Sequence, residues 1–189
     1  MSWEIRRRGR HVRLYGVAAR VLSCGRWCPV GRPLTERVAD AAAPAVLALT
    51  GDLERPARLT VPDLLAWPQH RVRVSFECAT SGVQHHRFEG PLLHDVLCAA
   101  GPQFDPGRRK DRLRFLIAVT GADGHHALLS WAEIDPDFGR APVLLAAGID
   151  DTALDGSGPQ LVLPQDRCGA RYVSGVNAIR VDGRYGPWT

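Results

Sequence analysis

The residues in this chain best suited to chemistry are a few thiols and two pairs of imidazoles. Cys78 closes the stretch Arg71-Val72-Arg73-Val74-Ser75-Phe76-Glu77-Cys78, in which polar and apolar residues alternate. Period-two alternation predicts a half-buried strand, because successive strand side chains point to opposite faces. Val72, Val74, Phe76 and Cys78 then share the inward face, and the small, turn-prone run Ala79-Thr80-Ser81-Gly82 follows at once. A thiol at the C-terminal end of a strand, beside a loop, has two readings. It can be a buried structural cysteine, the common fate of free thiols, or a soft metal ligand or nucleophile. The pairs His85-His86 and His125-His126 invite a zinc reading. Neighbours on a strand face opposite ways, however, so each pair offers one imidazole to a shared site, and no four-ligand geometry can be traced. The other cysteines are Cys24, Cys28, Cys98 and Cys168, an odd total of five that is not a disulfide framework. Cys24 and Cys28 lack a second pair to complete a structural zinc site. Cys98 lies in the apolar-spaced segment Leu92 to Ala100 and is expected in the core.

The elements that must position these residues follow from Ala45 onward. Val46 to Gly51 reads as a first strand, Arg58 to Val61 as extended, and Pro62 to Trp67 as a short helix capped by Thr60 with Pro62 in its first turn. After the Cys78 strand come a strand around His86 to Gly90, a helix over 92–100 ended by Gly101-Pro102, and a loop from Gln103 to Lys110. An apolar strand, Leu113 to Val119, turns through Gly121-Ala122-Asp123-Gly124 into the partner strand His125 to Ser130. Trp131 to Ile134 is a helical turn, Val143 to Ala147 a strand, and Gly156-Ser157-Gly158 a turn before Leu161 to Pro164. Arg171 to Val181 alternates like a closing strand. Many short strands and a few short helices without a steady βαβ rhythm predict an α+β fold. There are no repeats and no phosphate-cradling GxxxxGK or GxGxxG.

Length and charge bound the function. With 189 residues, 45% hydrophobic and 23% charged, the chain fits one globular domain with an appendage. Its net charge of +4 is unevenly placed: residues 1–40 hold nine arginines against Glu4, Glu36 and Asp40, a balance of +6, and the remainder is near neutral at −2. The body is therefore a poor nucleic-acid binder, and a nucleic-acid role could rest only on the arginine-rich leader. Residues 1–43 are expected to be a basic, disordered extension and 44–189 the folded domain. Arg20 interrupts the apolar stretch from Leu14 to Cys24, so no secretory signal is clear, and no run approaches the ~20 apolar residues that span a bilayer. A soluble, cytoplasmic protein is expected.

From about Ala45 to Val181 the chain resembles the molybdopterin-binding oxidoreductase domain of the sulfite oxidase family. Three stretches carry the resemblance, in order and at fitting spacings. They are Phe76-Glu77-Cys78-Ala79 with Arg87 to Leu97, Ala122-Asp123-Gly124 through Ser130, and Leu161-Val162-Leu163-Pro164 through Gly169-Ala170-Arg171-Tyr172-Val173. The resemblance implies a sulfite-oxidase-like α+β fold and a molybdopterin cofactor, with Cys78 as the one protein ligand to molybdenum. A thiolate suits that post as a strongly donating soft ligand. It further implies that Arg167, Gly169, Arg171, Tyr172, Val173 and Ser174 form the segment that wraps the pterin phosphate, and that Thr120 contacts the cofactor. Guanidinium forks match phosphate oxygens, and glycine lets backbone approach closely. Two surface arginines beside a turn, and an ordinary strand-end hydroxyl at Thr120, are the plain alternatives.

The chain also departs from the family. Ser174 stands where a lysine is usual, Gln160 where many members have arginine, and Asp155 where some have asparagine, so favourable charge is removed from a strongly anionic ligand's site. His125 stands at the position of the sulfite oxidases' active-site tyrosine, which points away from sulfite as substrate, and one of His125 and His126 is a candidate proton relay. Two function classes follow. One is a molybdopterin-dependent oxidoreductase moving an oxygen atom and two electrons on a small substrate, with a separate electron-transfer protein as partner. The other is a non-catalytic module of the same fold that has lost the cofactor and serves in binding or assembly.

Overall fold

The alternation of buried and exposed side chains along each strand decides the largest sheet. A computed structural model describes residues 45–78, 82–108 and 110–183, with the backbone alone described at Cys78. The expected extension, Cys24 and Cys28 lie outside these residues. Along Val46–Gly51 (β1), Leu47 and Leu49 are buried while Val46 and Thr50 are exposed. The same one-sided burial runs through Leu116–Gly121 (β5), His126–Ser130 (β6) and Val176–Asp182 (β11), as expected where one face of a sheet meets a core. With Ala57–Thr60 (β2) these strands form a five-stranded sheet ordered β2-β1-β11-β5-β6. Only the β1–β11 pair in it is parallel, with Leu49 opposite Ile179 and Gly51 opposite Val181.

A second sheet is built around the long ribbon His70–Cys78 (β3) and Gly82–Gly90 (β4), paired in register from His70–Gly90 to Cys78–Gly82. Gly148–Ile149 (β8) and Thr152–Ala153 (β9) extend it in the order β3-β4-β8-β9. Leu144–Ala146 (β7) and Gln160–Val162 (β10) pair antiparallel deep in the core. Among the described residues three short α-helices complete the fold: Val61–Leu65 (α1), Leu93–Ala100 (α2) and Trp131–Ile134 (α3). The fold is the expected α+β arrangement of short mixed strands and few helices.

Thr60 caps α1 as expected, with a reciprocal bond in which Asp63 accepts from the Thr60 backbone at 2.8 Å. Gly101 ends α2 in the left-handed region at φ 70°, where glycine carries no Cβ penalty. Three expectations are corrected. Residues Asp111–Arg114 form a 3₁₀ turn rather than the start of β5, because Asp111 turns its carboxylate inward to the Asp105 amide (2.7 Å) and Arg114. Gly169–Arg171 is likewise a 3₁₀ turn, so the last strand starts only at Val176. Cys98 is exposed rather than in the core: α2 buries Leu93, Val96, Leu97 and Ala100, and Cys98 falls on the opposite side, with its sulfur 3.3 Å from His94 Nε2.

Candidate functional site

The three segments singled out by sequence converge in space. Glu77, the residue before Cys78, forms a parallel bridge with Cys168, which joins the end of β3 to the start of the Gly169–Arg171 turn. Phe76 lies directly over that turn. A Cβ added at Gly169 would sit 2.6 Å from the Phe76 ring, so only glycine fits there without displacing the ring. From the other side the β5–β6 turn reaches in: His125 Nε2 lies 3.0 Å from the Ala170 carbonyl oxygen. The Ala122 amide donates to Gly175 O at 2.9 Å, which docks the same hairpin on the residues after the turn.

Each expected site residue can now be placed. Thr120, half-buried, stands one residue before the β5–β6 turn, opposite His126 on one side and Ala178 on the other. Arg167 and Ser174 are exposed, and Arg167 makes no ion pair among the described residues. Arg171 differs. Its Nε and Nη2 donate to the two carboxylate oxygens of Asp166, each at 2.8 Å, and its Nη1 donates to Glu133 at 3.1 Å. Hydrogen bonding to Asp166, then to Glu133, pushes its pKa further up against the opposing effect of burial. Tyr172 is buried, with its hydroxyl donating to Leu163 O (3.0 Å) and its ring stacked at a tilt on Phe76, centroids 4.8 Å apart. Burial, with the charge of Asp166 adding to it, pushes the Tyr172 hydroxyl up to about 12. Val173 is fully buried and spends both backbone groups on Leu161. Tyr172 and Val173 thus hold the segment to the core, while Arg167 and Ser174 face solvent.

The histidine pairs are spread out. His85 Nδ1 is 2.7 Å from Ser75 Oγ, and His86 Nδ1 is 2.7 Å from Asp150 Oδ2. Among the described residues no group of three or more His, Cys, Asp or Glu side chains is placed to hold a metal ion. Sequence reasoning missed Asp166, Glu133 and the Asp150-Asp151 turn that grips His86 and Arg87. Glu133 had a signal, since Ser130-Trp131-Ala132-Glu133 is a capping box: Ser130 donates its backbone N–H to Glu133 Oε1 at 2.9 Å.

A molybdopterin cofactor calls for a soft ligand to its metal and for cations or polar donors at its phosphate. The strand end carrying Cys78 lies beside a segment offering Arg167, a guanidinium without an ion pair among the described residues, and the exposed hydroxyl of Ser174. That donor set fits a phosphate-bearing cofactor, with a smaller cationic component than two free arginines would give.

Sheet, ribbon and converging turns together define a molybdopterin-binding oxidoreductase domain. Residues 37–182 match the family described as the oxidoreductase molybdopterin binding domain, and the chain belongs to that family. The resemblance to sulfite oxidases is borne out, as is molybdopterin as the family's cofactor. The match begins inside the stretch expected to be an extension. Among solved structures, the sulfane dehydrogenase SoxCD from Paracoccus pantotrophus shares the fold, with a TM-score of 0.57 and 22% identity over 74% of this chain. The chain spans 38% of that protein's chain. No curated protein matches. No helix among the described residues is long and apolar enough to cross a membrane.

Proposed function

We propose that this domain serves a two-electron oxygen-atom transfer on a small substrate, with Cys78 as the one protein ligand to molybdenum. The observation that carries this reading is the Glu77–Cys168 bridge, which sets the thiol-bearing strand end against the turn suited to a phosphate. When bound, the cofactor supplies the redox chemistry of a metal that cycles by two electrons. The chain supplies position. β3 fixes the backbone of Cys78 by pairing with β4 out to Gly82, and a thiolate on a rigid strand end is a pre-set soft ligand. Arg167 and Ser174 would meet the phosphate, with Gly169 letting Phe76 pack down onto the turn, while Arg171, Tyr172 and Val173 hold the segment in shape. Thr120 would contact the cofactor from the end of β5. His125 has one ring nitrogen on Ala170 O and its other available to move a proton at the substrate. A separate electron-transfer protein would take or give the electrons. The free thiols of Cys98 and Cys168 suit the reducing cytoplasm.

The test is metal analysis of protein made in a host that synthesises molybdopterin. Wild type is expected to carry near-stoichiometric molybdenum, and Cys78→Ala to lose it while keeping the thermal transition of cofactor-free wild type. Wild type without molybdenum would overturn the proposal and leave a cofactor-free module of the same fold.

A further inference from the structure

We infer that the two arginines of the cofactor-side turn divide their work, Arg171 being a positioning residue that locks the turn and Arg167 the residue left to meet the phosphate. This rests on the cofactor reading above. Asp166 and Arg171 are joined by a two-pronged ion pair, both contacts 2.8 Å. The pair brackets Arg167-Cys168-Gly169-Ala170, so it closes the very loop that bears Arg167. The third nitrogen of Arg171 reaches Glu133 at 3.1 Å. Glu133 uses its other oxygen to cap α3 through the Ser130 amide, which ties the loop to the β6–α3 junction. The remaining sides are also held. Cys168 bridges to Glu77, Gly169 lies under Phe76, and the Ala170 carbonyl faces His125.

Electrostatics assign the roles. Two carboxylates face one guanidinium, so the trio carries a net negative charge, and a phosphate approaching Arg171 would meet Asp166 and Glu133 first. Freeing Arg171 would also strip a carboxylate of its fork-shaped partner, the strongest geometry available to it. Arg167 has neither handicap: it is exposed, beside Asp166 in sequence but without an ion pair among the described residues. Lysine could not replace Arg171, because a single ammonium cannot span both oxygens of Asp166 and reach Glu133.

The experiment uses Asp166→Asn, Arg171→Lys and Arg167→Gln in the full chain, each prepared both without cofactor and from a molybdopterin-making host. Backbone hydrogen exchange of residues 166–171 in cofactor-free protein reads the lock. Molybdenum retained after gel filtration reads the phosphate grip. Asp166→Asn and Arg171→Lys are expected to speed exchange in the loop at least tenfold and to lower molybdenum retention, at unchanged exchange in β1 and β11. Arg167→Gln is expected to leave exchange unchanged and still lose molybdenum. Unchanged loop exchange in both Asp166→Asn and Arg171→Lys overturns the lock, whatever the cofactor does. Higher molybdenum retention in Asp166→Asn shows that the carboxylate was holding back a phosphate ligand, and overturns the division of labour. Full retention in Arg167→Gln does the same. Wild type without molybdenum sinks the functional reading and the role of Arg167 with it, while the exchange measurement still decides the lock.

Discussion

Tyr172 shows how a residue can serve a ligand-binding turn by touching only protein. Its ring sits between Phe76 and Phe88, at centroid distances of 4.8 and 6.3 Å, and its hydroxyl donates to Leu163. Burial raises the phenol from 10.0 to about 12, with a definite consequence for stability. The protonated form is favoured in the folded state, so the unfolded chain ionises first. The contribution is complete below pH 10 and is lost as pH rises from 10 towards 12. Wild type is therefore expected to lose stability over that window, and Tyr172→Phe to lose less of it, as measured by urea denaturation across pH. At neutral pH the same variant should cost about 1 kcal/mol for the missing hydrogen bond. The family resemblance groups Tyr172 with the phosphate contacts, because a motif gives an order of residues without their facing. Its burial is set by Phe76 and Phe88, which lie far away along the chain.

At the level of elements, α1 is a short helix whose formation depends on its start. Five residues make barely more than one turn, too few to be stable by propensity alone. Thr60 and Asp63 cap each other, and Val61 and Leu64 are buried. Thr60→Ala should destabilise the domain by about 1 kcal/mol, read as a shift in the denaturation midpoint at constant slope. This helix was legible because its cap, its first-turn proline and its apolar pair all lie within seven residues. So was the β5–β6 hairpin, where Gly124 takes φ 83° at the expected place. The β8–β9 hairpin was not. Its strands are two residues long, and its turn is made by Asp150 and Asp151 at φ 47° and 65° with no glycine to announce it. The carboxylate of Asp150 is held there by the Arg87 amide at 2.8 Å and by His86, contacts more than sixty residues away in sequence. Local pattern carries no trace of such a pairing.

For the molecule as a whole, β11 is the strand on which the large sheet depends. It lies third of five and pairs with β1 on one edge and β5 on the other. Its inward residues Val176, Ile179 and Val181 are all buried. A chain stopped after Gly175 leaves β1 and β5 without a partner between them, and is expected to show no cooperative thermal transition by circular dichroism. The convergence of the Cys78 strand, the hairpin and the arginine turn was legible only as three matching segments; the lock on Arg171 was not, because Glu133 stands 38 residues before it and the spacing of Asp166 alone does not show that its carboxylate turns onto the guanidinium.

The parallel pairing of β1 with β11 also sets an order of events during synthesis. The first strand leaves the ribosome more than a hundred residues before its partner, and contacts so distant in sequence form slowly. Until residue 182 has emerged, the edges of β1 and β5 that face β11 stay unpaired, a state prone to aggregation and to chaperone capture. Phe76 in turn waits for Gly169 and Tyr172, which follow it by more than ninety residues, so the turn that would receive a cofactor depends on a contact as distant in sequence as the one that closes the sheet.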